Sequence, residues 1–127
     1  MTPKGQFTGT WNSGNEEIDI NLPFIIFEEG GAEVVYCPAL DVSGYGKNEE
    51  EAFQSFKICL GEFLLYTTRK KTFFDELRRL GWTIKKSKYK PMVPPQFSRL
   101  LEENDNFSRI FNNFPFRKVN HSVSLPA

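Results

Sequence analysis

Tyr36-Cys37-Pro38-Ala39-Leu40-Asp41-Val42-Ser43-Gly44-Tyr45-Gly46-Lys47-Asn48-Glu49-Glu50-Glu51-Ala52 is the stretch that decides the fold. Two apolar, strand-like runs precede it and one long helical pattern follows, so here the chain must turn from sheet into helix. Pro38 has no amide proton to give a ladder and marks the end of a strand. Gly44 and Gly46 read as positions whose backbone conformation a Cβ would forbid, and Asn48 is a good helix N-cap. Asn48 and Glu51 have the spacing of a capping box, with Asn in place of Ser or Thr. Glu49, Glu50 and Glu51 fill the first turn, where negative charge meets the positive end of the helix dipole. The prediction is a helix that starts at Asn48 or within one residue of it.

Upstream, Ile18, Ile20, Leu22, Phe24 and Ile26 share one parity, the period of a half-buried strand. Pro23 interrupts it and argues for an edge position or a bulge. Glu28-Glu29-Gly30-Gly31 is a turn and Glu33-Val34-Val35-Tyr36-Cys37 a second strand, giving a hairpin. A short third strand, about Val42 to Tyr45, then feeds the helix. Residues 1–15, rich in Thr, Gly, Asn and Ser, read as a flexible tail with Trp11 as an anchor.

Along the helix, predicted to run to about Thr68, Ala52, Phe53, Phe56, Cys59, Leu60, Phe63 and Leu64 form a wide apolar stripe that must cover the sheet. Ile58 and Leu65 lie on the opposite side with Gly61 between them. They are either two scattered surface residues or a second contact strip at which Gly61 lets another backbone come near.

Arg69-Lys70-Lys71 suits the C-terminal end of that helix dipole. Thr72 is expected to cap a second helix through Phe73, Leu77 and Leu80, stopped by Gly81. Trp82-Thr83-Ile84 begins a further strand, with Lys85, Lys86, Lys88 and Lys90 as a Lys-protected edge. Lys90-Pro91-Met92-Val93-Pro94-Pro95 reads as an extended linker. Beyond it, Phe97, Leu100 and Leu101 suggest one short helix, and Phe107, Ile110 and Phe111 another. Val119, His121, Val123 and Leu125 alternate as a C-terminal strand in need of a sheet edge. The division is therefore a tail at 1–15, an α+β core at 16–90, and a linker with a docking or dimerisation segment at 91–127. The last is too small for its own core, so it docks on the first part or exchanges between protomers of a homodimer. The fold class is α+β, an antiparallel three- to four-stranded sheet packed against one long helix, plus C-terminal short helices and a strand.

The pattern Pro38-x-Leu40, Gly44-x-Gly46 and Glu50-Glu51-Ala52 behind a two-strand hairpin resembles the HicB antitoxin family, most clearly over residues 24 to 82. The resemblance implies a partial ribonuclease-H-like core and a non-catalytic protein that neutralises a small basic messenger-RNA endonuclease, HicA. An acidic surface is the expected complement of such a partner, and Glu28, Glu29, Glu33, Asp41, Glu49 and Glu50, together with Ile58 and Leu65, are the candidate contacts. DNA-binding members of the family carry an added helix-turn-helix or ribbon-helix-helix, and the C-terminal residues here read as neither.

Composition frames these readings. The chain of 127 residues has 13 Phe, 4 Tyr and 2 Trp for a core, and 16 basic against 16 acidic residues. That balance gives no overall electrostatic reason to expect nucleic acid or an anionic membrane. The distribution is uneven: residues 1–51 hold ten acids and two bases, residues 69–90 nine bases and two acids. The second segment motivates the alternative function, a nucleic-acid-binding regulator using Arg78, Arg79, Lys85, Lys86 and Lys88. Cys37 and Cys59 have no metal or redox spacing and read as buried thiols. With no apolar leader and no long apolar run, the expectation is a cytoplasmic protein without membrane contact. His121 is the only histidine and has no nucleophile motif beside it, and Gly44-x-Gly46 lacks the rest of a phosphate-binding loop. Asp19 and Asp41 are too few for a two-metal site. The expectation is no enzyme, no cofactor and no metal.

Overall fold

In the computed structural model, residues 17–85 and 92–126 are described. The expected tail with Trp11, and Lys86, Lys88 and Lys90, lie outside them.

β1 (Glu17–Glu29), β2 (Ala32–Cys37) and β3 (Val42–Gly46) lead into α1 (Glu49–Arg69). α2 (Phe73–Arg79), β4 (Thr83–Ile84), β5 (Met92–Val93), α3 (Phe97–Glu103), α4 (Asp105–Asn113) and β6 (Phe116–Pro126) follow. The four-stranded sheet is antiparallel, with order β3-β2-β1-β6. The C-terminal strand therefore pairs within its own chain, from Glu17↔Pro126 to Phe27↔Phe116. This is the α+β architecture read from the sequence.

Gly30 and Gly31, both at positive φ (62° and 83°), make the two-residue turn between β1 and β2, the geometry that matches the twist of a hairpin. Pro23 sits at a local edge of the sheet, as a residue without an amide proton requires. β1 is a central strand and its register with β6 is unbroken, but β2 pairs with it only from Ile25 onward, so at Pro23 the strand has a ladder partner on one side alone.

The helix start forms as the capping pattern requires. Asn48 Oδ1 accepts from Glu51 N at 2.9 Å, and Glu51 Oε1 accepts from Lys47 N at 2.9 Å, one residue earlier than a standard box. Thr72 occupies the N-cap of α2, but its hydroxyl makes no capping bond, because its backbone (φ −115°, ψ 9°) is not in the extended conformation that aims the side chain at the helix.

The glycines of the junction have a different reason from the expected one. Neither Gly44 nor Gly46 has positive φ; instead α1 lies directly on β3. A Cβ on Gly44 would stand 2.2 Å from Phe56 N and 2.4 Å from Ala52 O, and one on Gly46 2.5 Å from Ala52 N. These are backbone atoms that cannot swing aside. Close approach of helix to strand is what excludes a side chain here.

The sheet is covered on both faces. On one, Phe24 packs its ring against Phe53 and Phe56 of α1, with Leu60 and Leu64 buried further along the helix. On the other, Phe27 meets Phe114, and Phe116 meets Phe111. Phe24, Ile25, Ile26 and Phe27 are consequently all buried, each such side chain contributing about 1.5–3 kcal/mol relative to exposure. Within the segment read as a linker, Met92 and Val93 form a short strand: Met92 pairs with Ile84 and Val93 with Thr83 in a separate two-stranded ribbon.

Candidate protein-interaction surfaces

The turn at Pro38–Asp41 is where the C-terminal part docks on the core. Asp41 adopts φ 56° and its amide closes the turn on Cys37 O at 2.8 Å. The carbonyls left over by the turn are caught from far along the chain: Trp82 Nε1 donates to Ala39 O at 2.8 Å, and Asn104 Nδ2 to Pro38 O at 3.3 Å. Tyr36, 1% exposed, donates its hydroxyl to Asp41 Oδ1 at 2.6 Å and accepts from Asn104 Nδ2 at 2.9 Å. Asn104 also caps α4, its Oδ1 accepting from Phe107 N. Burial first, then the Asp41 carboxylate, pushes the Tyr36 phenol above its ordinary value, and burial raises the Cys37 thiol to about 12. Buried neutral groups with their partners in place make this a structural node.

This placement removes Asp41 from the candidate acidic surface. The β2–β3 turn is at one end of the sheet, and the other acids gather at the opposite end. There Glu28 faces Glu33 across the β1–β2 hairpin, Glu33 pairs with Gly46, and α1 begins just beyond with Glu49 and Glu50. Like charges directly opposite each other, as in Glu28 and Glu33, are unfavourable in a sheet. Two acids of the group are compensated: Arg109 of α4 reaches Glu29 at 3.4 Å, and Arg117 of β6 pairs with Glu49. Glu28, Glu33 and Glu50 have no ion pair among the described residues. The compensating arginines had no local sequence signal, since each pair joins residues at least 68 positions apart.

Ile58 and Leu65 stand on the solvent side of α1, 65% and 40% exposed. The basic candidates are more dispersed in effect than in sequence. Arg78 pairs with Asp75 at 3.1 Å and Arg79 with Glu76 at 2.6 Å, each three residues back on α2, while Lys85 is exposed. The Glu76 hydrogen bonds raise the Arg79 pKa, holding its charge to that partner. A cleft of about 270 Å³ lies between the Asp41 turn, Arg79, Arg99 and the start of α4 at Asn104 to Asn106, but Arg99 is engaged by Glu103. His121 is held edge-on between the rings of Phe24 and Phe53, a packing role. Among the described residues no group of three or more His, Cys, Asp or Glu is placed to hold a metal, and no helix is long and apolar enough to cross a membrane.

Compared with known proteins, the chain matches no family model, no curated protein and no solved structure.

Proposed function

We propose that this chain is a non-catalytic, HicB-like antitoxin-type protein that binds and masks a small basic HicA-like messenger-RNA endonuclease in the cytoplasm, or a stand-alone descendant of such proteins. The observation that carries the reading is the order of the core, hairpin, third strand and long helix, combined with an acidic end that the fold leaves partly uncompensated. Glu28 and Glu33 face each other at a cost that a cationic partner would offset, and Glu50 stands in the first turn of α1, which begins just after β3. Inhibition would be steric and electrostatic: the acids neutralise the toxin's RNA-binding cations while the body of the domain blocks RNA. The nucleic-acid reading has less support, because Arg78 and Arg79 already hold carboxylates. Affinity capture with the tagged chain from its source cell tests the proposal. Recovery of a small, strongly basic protein that leaves in high salt is expected, and recovery of none contradicts it.

A further inference from the structure

α1 buries Ala52, Phe56, Leu60, Leu64 and Thr67 against the sheet. At 3.6 residues per turn, the line on its far side runs through Glu51, Gln54, Ile58, Gly61, Leu65 and Arg69. Long charged side chains belong on the solvent side of such a helix, yet the middle of this line is Ile, Gly and Leu. Gly61 is the informative member. A glycine in mid-helix costs about 1 kcal/mol relative to alanine, and no atom lies within 4 Å of where its Cβ would be. Nothing among the described residues requires it. A second backbone approaching from outside would.

We infer that this line is a self-association surface, on which α1 of one copy crosses α1 of a second copy antiparallel about a two-fold axis. Charge selects a second copy as the occupant. Glu49, Glu50 and Glu51 stand at the N-terminal end of α1, and Arg69, Lys70 and Lys71 at and beyond its C-terminal end. Antiparallel pairing of the helix with itself sets each acidic end beside a basic end and opposes the two macrodipoles. In the register that puts Ile58 level with Gly61 of the second copy, Leu65 comes level with Gln54, and Arg69 with Glu50. The two-fold axis repeats each contact. Neither Glu50 nor Arg69 makes an ion pair among the described residues, so both are free to form one across the axis. Two crossing helices bury an area at the low end of specific interfaces, which gives a reversible, salt-sensitive dimer. The hairpin acids Glu28 and Glu33 lie off this line, whereas Glu50, Ile58 and Leu65 are also candidate toxin contacts, so self-association is tested on the chain alone, with no toxin present.

Sedimentation equilibrium of the full chain alone, at low salt and from about 1 to about 500 µM, tests it. A monomer–dimer equilibrium in that range is expected, with Ile58→Lys abolishing the dimer. Gly61→Gln is expected to weaken association while raising the melting temperature of the monomer, since it adds helix propensity and its Cβ meets no atom of the described residues. Arg69→Glu should weaken the dimer roughly fivefold through the two symmetric pairs, and the exchange Glu50→Arg with Arg69→Glu should recover it. A monomer throughout the range overturns the inference. So does a dimer indifferent to both Ile58→Lys and Gly61→Gln, or an exchange variant that stays as weak as Arg69→Glu.

Discussion

The side-chain amide of Asn104 donates to the hydroxyl of Tyr36 at 2.9 Å, joining the cap of α4 to the end of β2 across 68 residues of sequence. The same Nδ2 reaches Pro38 O, so one side chain ties the C-terminal helices to the turn on which the sheet depends. Asn104→Ala removes a cap and leaves two partners of the node short of a donor, for a loss of about 2–3 kcal/mol. Asn104→Ser, which keeps a capping oxygen, should recover about 1 kcal/mol of it. Urea unfolding of the two variants beside wild type measures both numbers.

The helix–strand contact gives a sharper forecast. Because the Cβ of Gly44→Ala would fall 2.2 Å from Phe56 N, α1 would have to lift off β3, at a cost of about 3 kcal/mol or more. Loss of soluble, cooperatively melting protein is the expected outcome. A variant that melts within about 1 kcal/mol of wild type would contradict this close contact of helix and strand.

These two sites also mark how much was legible. The Asn48 cap, the apolar stripe of α1 and the alternation of β1 and β6 follow from periods and local hydrogen bonding, which a sequence carries in order, and all three formed where expected. The two junction glycines misled because their meaning depends on a neighbour in space, namely how near α1 comes, whereas Pro23 does mark a local edge, where β2 is not paired. The run Phe24-Ile25-Ile26-Phe27 was the available sign of a strand buried on both faces. Of the acidic candidates, the hairpin and helix-start residues gather at one end. Asp41 does not, since its carboxylate belongs to Tyr36, a pairing between the end of β2 and the turn after it that charge counting does not reveal.

Alkaline pH should unfold the protein through the same node. Tyr36 and Cys37 are buried in their neutral forms, with pKa values raised above the ordinary 10 and 9. A raised folded-state value contributes stability that is complete below the unfolded value and is lost as pH climbs toward the folded one. Stability is thus expected to hold up to about pH 9 and to fall beyond it. Urea midpoints at pH 8 and pH 10.5 test this, with Tyr36→Phe less stable at the lower pH but losing less between the two.

The ion pairs of α2 are expected to matter little. Arg78–Asp75 and Arg79–Glu76 are exposed pairs one turn apart, each worth about 0.3–0.5 kcal/mol at most. Replacing both arginines by Gln should shift urea unfolding by less than about 1 kcal/mol. It should also leave toxin neutralisation intact, as read by growth of cells expressing both proteins.

Co-expression with a HicA-like toxin, scored by growth, tests the central claim most directly. The wild-type chain is expected to restore growth, and the double change Glu28→Lys and Glu33→Lys to abolish the rescue while the purified variant melts no lower than wild type. Failure of the wild-type chain to restore growth with its cognate toxin, or full rescue by the doubly reversed variant, would contradict it.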